Sequence, residues 1–162
     1  MGVSGSGKTT VASKLAGRLG WPFEEGDSLH PHSNVEKMKA GHPLTDEDRA
    51  PWLDAIAAWI DARLDAQENG VITSSALKRR YRELLNRRGG GVVFVFLSGT
   101  KESIAERLEL RRDHFMPAAL LDSQFHDLET PASDEPALTF DVEAVADAIV
   151  QEIIDRLQLG PG

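Results

Sequence analysis

Cysteine is absent from this sequence of 162 residues, and its absence excludes three kinds of chemistry. Without thiols the chain has no disulfide scaffold, no thiolate zinc site and no cysteine nucleophile. Aromatic residues are also scarce, at 6% with a single tyrosine. The chain therefore offers few rings on which nucleic-acid bases could stack.

Positive charge is in deficit, because 18 Lys and Arg face 26 Asp and Glu for a net charge of −8. Such a chain is a poor ligand for a phosphate backbone, which is bound through Lys and Arg. Long apolar runs are missing too, since the longest strongly apolar run, residues 92–97, is far too short to span a bilayer. No signal-like segment opens the chain. We therefore expect a cytoplasmic protein without nucleic-acid or membrane partners.

The length fits a single domain over residues 1–162. Strand-like segments alternate with helical patterns, which predicts an α/β fold with a parallel sheet and helices on both faces. The predicted strands are 22–25, 71–74, 92–97 and 138–142. The predicted helices are 8–19, 34–40, 46–69, 78–88, 101–111, 118–128 and 143–157. Ligands of such sheets bind at the carboxyl ends of the strands.

A phosphate-binding loop opens the chain and matches G-x-x-x-x-G-K-[ST] at every fixed position. Backbone N–H groups of such a loop surround a phosphate, and the helix behind it directs its positive end at the same anion. The predicted nucleotide-binding residues are Gly2, Val3, Ser4, Gly5, Ser6, Gly7, Lys8, Thr9 and Thr10. Lys8 would bridge the β- and γ-phosphates of ATP, and the Thr9 hydroxyl would bind Mg²⁺. A flexible Gly/Ser-rich terminus is the alternative, which the helical pattern directly behind the loop disfavours.

The remaining motifs indicate a small-molecule kinase. The N-K-x-D motif by which GTPases recognise the base is absent, and neither 71–74 nor 92–97 ends in an acidic residue as in large ATPases. Asp27 follows the strand 22–25 and could hold the metal and accept the proton of an attacking hydroxyl. The alternative is a turn-forming aspartate.

Basic residues mark a candidate site for an anionic acceptor. Arg49 lies in the first turn of a helix, where the dipole disfavours a cation. An anionic ligand would explain it, and so would a solvent-exposed pair with Asp46 or Asp48. A second cluster, residues 78–82, could attract an anion. For at least two of its four cations we expect an ordinary solvated helix face.

A basic segment near the middle of the chain suggests a lid at about residues 111–127. Arg107, Arg111 and Arg112 precede the sequence HFMP, and such a segment could close over the nucleotide and bring arginines to the γ-phosphate. The alternative is a helix end stabilised by cations. Trp52 and Trp59 form an apolar stripe that we assign to the core.

Together these motifs resemble the bacterial gluconate kinase (gluconokinase) family of small P-loop kinases, relatives of shikimate kinase. The matching segments are GVSGSGKTT, GDSLHP, NVEKMKAGHPLTDEDRAPWL, SALKRRYRELL, HFMP and LLDSQFHDLE. They occur in order over nearly the whole chain. The resemblance implies a three-layer P-loop fold with a lid, ATP and Mg²⁺ as cofactors, a homodimer, and phosphorylation of D-gluconate at its 6-hydroxyl.

Carried over residue by residue, the resemblance implies catalytic roles for Lys8, Asp27 and Arg112. Metal binding falls to Thr9 and Asp27, and Arg111 contributes to nucleotide binding. The substrate-binding residues it implies are Asp27, His30, Arg49, Ser75, Lys78 and Arg82. Alternative functions are a shikimate-type or nucleotide kinase, or a non-catalytic ATP-binding module.

The sequence departs from the family pattern at three places. Thr9 stands where the family usually has serine, which preserves the hydroxyl, and Ser74 stands where the family often has cysteine. The family also carries a hydrophobic strand before Gly2, at the centre of the sheet. We expect that strand to be absent from this chain, with Met1 an internal methionine used as a start or with upstream residues missing.

Overall fold

A computed structural model describes residues 1–111 and 117–161, and it places helices on both faces of parallel strands. The helices are α1 (Lys8–Leu19), α2 (His32–Lys39), α3 (Asp46–Asp65), α4 (Arg79–Leu85), α5 (Lys101–Glu109), α6 (Ala118–Asp127) and α7 (Ala146–Leu157). The strands are β1 (Phe23–Glu24), β2 (Val71–Ile72), β3 (Phe94–Ser98) and β4 (Ala137–Asp141). Among the described helices, none is long and apolar enough to cross a membrane.

The sheet consists of two parallel pairs, β1 with β2 and β3 with β4. The first residues of the chain connect them. The Met1 amino group donates to the Val95 carbonyl at 2.5 Å, and the Leu97 N–H donates to the Met1 carbonyl at 3.0 Å. The Gly2 N–H instead donates to the Ser75 carbonyl at 3.2 Å, on the side of β2. This alternation is that of a central parallel strand, so Met1 and Gly2 occupy the end of a position between β2 and β3.

An apolar groove of about 530 Å³ continues this position between the two pairs. Side chains from strands and covering helices line it, among them Leu15, Trp59, Ile60, Ile72, Val95 and Ile153. The described residues contain no strand before α1. The expected absence of the first strand therefore corresponds to a groove at the centre of the sheet.

The predicted elements are all found, with corrected bounds. The helix predicted to reach residue 69 ends at Asp65, because Gln67 adopts a left-handed conformation and the Glu68 N–H donates to the Arg63 carbonyl at 2.9 Å. The strand predicted over 71–74 pairs only at Val71–Ile72. α4 and α5 end three and two residues early, and α7 begins three residues late.

Two further observations concern the elements that carry the candidate site. Residues Gly26–Leu29 form a 3₁₀ turn that the sequence pattern did not predict. Helix α3 begins with a capping box, in which Thr45 and Asp48 exchange side-chain and backbone hydrogen bonds. Trp52 is buried as predicted, whereas Trp59 is half-buried beside the groove.

We expect the groove to accept an apolar strand attached before Met1. Adding about six β-branched residues there, a usual strand length, should raise the free energy of unfolding by about 2 kcal/mol, because apolar burial outweighs the cost of ordering the segment. The melting temperature should then rise by roughly 4–8 °C.

A Gly/Ser extension of equal length is the control, because it pairs without burying side chains. Equal melting temperatures for the two extended chains would contradict the assignment of the groove as a strand position.

Candidate active site

The phosphate loop is built for an anion. Gly5 has φ of +83°, and a Cβ there would lie 2.8 Å from the Leu108 side chain, so both conformation and packing require glycine. The loop leads into α1, whose first turn contains no acidic residue and whose N-cap, Gly7, makes no side-chain hydrogen bond. The Ser6 hydroxyl is buried and finds no hydrogen-bond partner among the described residues. The N–H groups in the first turn of α1 and an unpartnered buried hydroxyl fit a bound phosphate.

Lys8 lies at the centre of the charged groups. Its Nζ donates to two carbonyl oxygens of the loop at 2.9 Å each. Burial lowers the pKa of the Lys8 ammonium, the carboxylates of Asp27 and Glu25 counteract this, and the charge of Arg111 adds to the lowering. Lys8 therefore lies within electrostatic range of Asp27, Glu25 and Arg111.

Glu25 is the site residue that sequence reasoning missed. The Thr9 hydroxyl donates to one Glu25 oxygen at 2.7 Å, and the Thr73 hydroxyl donates to the other. The Gly26 N–H in turn donates to the Thr73 hydroxyl at 3.0 Å. A usable signal was present, since Glu25 and Asp27 flank a glycine at the carboxyl end of a strand, where ligands of parallel sheets bind.

The oxygen atoms here fit magnesium. In residues 1–111 and 117–161 no three His, Cys, Asp or Glu side chains converge as a metal site. Magnesium in kinase sites takes one or two carboxylates, with phosphates and water as its other ligands. The Thr9 hydroxyl and the Glu25 carboxylate, in contact with each other, are hard oxygen donors of this kind. Asp27 is exposed one residue beyond Gly26.

Arg49 is a buried cation on the acceptor side of the site. One guanidinium nitrogen donates to the Tyr81 hydroxyl at 2.9 Å, and another donates to Asp127 at 3.1 Å. The exposed alternative for Arg49 is therefore wrong, since its partners are neither Asp46 nor Asp48 and only 7% of the residue is accessible.

His30 directly follows the 3₁₀ turn that carries Asp27 and contacts α3, the helix that carries Arg49. Its ring stacks on Trp52 with centroids 4.3 Å apart, and its Nδ1 lies 3.2 Å from the Asn34 amide nitrogen. Burial lowers the pKa of His30, while the charge of Asp27 raises it and that of Arg49 lowers it. Trp52 also donates to the carbonyl of Gly26, next to Asp27, and it lies three residues after Arg49 on α3. The elements that carry Asp27 and Arg49 therefore meet at Trp52.

The basic residues of the cluster 78–82 lie in different environments. Lys78 donates to Asp46 at 3.1 Å, and Asp46 also accepts from Arg80 and from the Tyr81 hydroxyl. The hydrogen bond from Tyr81, followed by that from Lys78, lowers the pKa of the Asp46 carboxyl. Arg79 and Arg80 lie on the solvated face, as expected for two of the four cations. Lys78 lies 5.7 Å from the centroid of the Tyr81 ring, whose hydroxyl accepts from Arg49.

Arg82 has a different environment from the one predicted. It is buried, and each of its three guanidinium nitrogens donates to protein oxygens: Glu135 at 2.6 Å and the carbonyls of Ala76, Leu77 and Glu129 at 2.9–3.2 Å. These contacts tie α4 to the segment before β4. The N–H donors of Arg82 are therefore used within the protein, which leaves none for the substrate role predicted from the sequence.

The other predicted residues are placed as follows. Ser75 contacts the phosphate loop through its carbonyl, which accepts from Gly2, and Thr10 is exposed in the first turn of α1. Arg107 donates to the Val142 carbonyl. Arg112, and part of the lid expected at 111–127, lie outside the described residues.

This chain is similar in sequence to known kinases. The profile of the shikimate kinase family matches residues 4–158. The gluconokinase of Gluconobacter oxydans is 50% identical over 158 residues, which cover 98% of this chain and 89% of that protein. The chain belongs to the shikimate kinase family and, within it, to the gluconokinases. It is accordingly an ATP-dependent kinase.

Solved gluconokinase-like structures share the fold. A gluconokinase from Sinorhizobium meliloti superposes with a TM-score of 0.87 at 46% identity, covering 98% of this chain and 89% of that one. A sugar kinase from Janibacter gives a TM-score of 0.92 at 44% identity, with 99% and 93% covered. The α/β P-loop kinase fold predicted from the sequence is confirmed, together with the gluconokinase family.

We expect Arg82→Ala to destabilise this gluconokinase-family fold by about 3–5 kcal/mol, because it leaves the Glu135 carboxylate without its buried partner. Urea denaturation measures the change. Arg79→Ala is the matched control, since its surface pairs contribute about 0–1 kcal/mol. Similar losses for the two variants would contradict the structural role of Arg82.

The ion pair between Arg82 and Glu135 should also make the stability of the fold depend on pH. The hydrogen bond from Arg82 lowers the pKa of the Glu135 carboxyl from its ordinary value of 4.5. Its stabilisation is therefore complete above that value and is lost as the pH falls through the lowered pKa. As the pH falls below 4.5, stability should therefore decrease more steeply in the wild type than in Arg82→Ala, which urea denaturation at a series of pH values measures.

Proposed function

We propose that this protein transfers the γ-phosphoryl group of ATP to the 6-hydroxyl of D-gluconate, forming 6-phospho-D-gluconate and ADP. The observation that carries the proposal is the buried Arg49, which lies on α3 three residues before Trp52. Trp52 stacks on His30 and donates to the carbonyl of Gly26, next to Asp27. A buried guanidinium pairs well with a carboxylate, and gluconate carries one at the end remote from its 6-hydroxyl. The name of the Gluconobacter relative supports the same acceptor.

The residues divide the work between the two substrates. The loop N–H groups and Lys8 hold the phosphates, and the Lys8 ammonium stabilises charge on the transferring group. Asp27 accepts the proton of the 6-hydroxyl as its oxygen attacks phosphorus and the bond to the ADP oxygen breaks. Arg49, Lys78 and His30 orient the sugar acid, and the proposed lid arginines are Arg111 and Arg112.

Magnesium belongs to this proposal as the metal held by Thr9 and Glu25, with Asp27 alongside. When bound, Mg²⁺ would neutralise charge on the β- and γ-phosphate oxygens. The Glu25 carboxylate, fixed by the Thr73 hydroxyl, orients the Thr9 oxygen towards that position. The cytoplasmic location and the homodimer implied by the family resemblance stay predictions, and light scattering tests the second.

A coupled assay that follows ADP decides the acceptor. With Mg²⁺ and ATP we expect turnover with D-gluconate, and at least 10²-fold lower kcat/KM with shikimate or nucleoside monophosphates, because an acceptor that does not match the hydroxyl groups of gluconate leaves polar groups of the site unpaired. Lys8→Ala controls for contaminating kinases and should lose about 10²-fold or more of the activity. Preferred turnover of another acceptor would refute the assignment. ATP binding without any turnover would instead favour a non-catalytic module.

Two variants should separate chemistry from binding. Asp27→Asn should lower kcat by about 10²- to 10⁴-fold, because the proton acceptor is lost. Arg49→Ala should raise the KM for gluconate by about 10- to 100-fold, the usual effect of losing a charge-assisted hydrogen bond. Steady-state kinetics measures both constants.

Each variant serves as the reference for the other, and Ser28→Ala, exposed in the same 3₁₀ turn as Asp27, is the neutral control. Arg49→Lys keeps the charge and should recover part of the affinity. Near-normal kcat in Asp27→Asn would remove that residue from the transfer step, and an unchanged KM in Arg49→Ala would remove the arginine from the acceptor site.

A further inference from the structure

Helix α6 reaches the phosphate loop through Gln124, a residue that the function described so far does not use. The Ser4 N–H donates to Gln124 Oε1 at 2.7 Å, and Gln124 Nε2 lies 3.1 Å from the Ser4 hydroxyl. Both polar ends of one amide therefore bind a single residue of the loop. The contact joins positions 120 residues apart in the chain.

The next turn of the same helix reaches the acceptor arginine. Asp127 lies 3.1 Å from Arg49, and both side chains are largely buried. Residues three apart lie on the same face of a helix, so Gln124 and Asp127 present one surface of α6 to the two halves of the site. Leu120 and Leu121, four and three residues before Gln124 and therefore on the same side of the helix, are buried and hold α6 against the core.

We propose that Gln124 and Asp127 are positioning residues through which α6 couples the acceptor arginine to the phosphate loop. An acceptor carboxylate at Arg49 competes with Asp127 for the guanidinium, which changes the force on the end of α6. Because a helical turn is rigid and advances only about 5.4 Å, the displacement reaches Gln124 and the Ser4 N–H that it binds. The identity of the acceptor rests on the proposed function, whereas the coupling between Asp127 and Ser4 does not.

A helix that merely braces the fold would give a different result. Loss of a brace lowers stability, and its effects on nucleotide affinity add independently when the residues are not coupled. A coupling element makes the effect of one substitution depend on the other residue. The decisive measurement is therefore a double-mutant cycle on nucleotide binding.

The cycle uses the full chain with Mg²⁺ and a non-hydrolysable ATP analogue, whose Kd is measured by calorimetry. We expect Asp127→Asn to change this Kd by about fivefold or more in the wild type, the lower end of usual coupling between sites. In the Gln124→Ala background the same substitution should change it by less than about twofold, within the normal error of additivity. Equal changes in both backgrounds, or no change in either, would overturn the proposal.

His126→Ala is the matched control, because His126 lies on α6 between the two residues and is exposed. It should leave the Kd unaltered, and a change equal to that of Asp127→Asn would overturn the proposal. If Asp127→Asn fails to fold, Arg49→Lys perturbs the same contact from its other side and takes its place in the cycle. Melting temperatures identify the folded variants.

The gluconate assay distinguishes the two proposals. Turnover of gluconate with an additive cycle would leave the proposed function intact and overturn the coupling. A coupled cycle without gluconate turnover would overturn the proposed function and support the role of α6 towards a different acceptor.

Discussion

The close approach of Gly26 to Thr73 is the constraint on which the site depends. A Cβ on Gly26 would lie only 1.8 Å from the Thr73 carbonyl oxygen, so β1 can run this close to β2 only with glycine there. The Trp52 indole N–H holds the same point from α3 by donating to the Gly26 carbonyl at 2.8 Å. Glu25 and Asp27 flank this fixed point. Their carboxylates are therefore positioned by backbone packing before any ligand arrives.

Charge is arranged so that the cations of the acceptor side have partners within the protein. A buried guanidinium without a counter-ion would cost several kcal/mol, and Asp127 supplies that counter-ion to Arg49. Asp46 does the same for Lys78. An anionic acceptor must compete with these carboxylates, which favours ligands that offer charge and hydrogen bonds at once. The acidic residues of the chain thus pair with the cations of the acceptor site when no ligand is bound, and they also make that site selective among anionic ligands.

Sequence patterns within one segment predicted the helices, but they could not predict contacts between residues far apart in the chain. The helical pattern of the sequence predicted α1 with its observed bounds and the start of α3 at residue 46. The carboxylate partner of Arg82, Glu135, lies 53 residues away, so the helix pattern alone could not distinguish a buried ion pair from a ligand contact. Glu25 was missed for a related reason, since its role depends on Thr73, 48 residues along the chain.

The apolar groove at the centre of the sheet and the phosphate loop share residues and hydrogen bonds. Lys8 and Leu15 line the apolar groove from α1, and Lys8 also holds the loop through two of its carbonyls. The loop begins at Gly2, which hydrogen-bonds towards β2 just after Met1 has bonded to β3. Whatever separates the two strand pairs therefore moves both anchors of the loop. The packing between β2 and β3 consequently sets the geometry in which the loop presents its N–H groups to phosphate, which makes the apolar centre of the sheet part of the chemistry of the site.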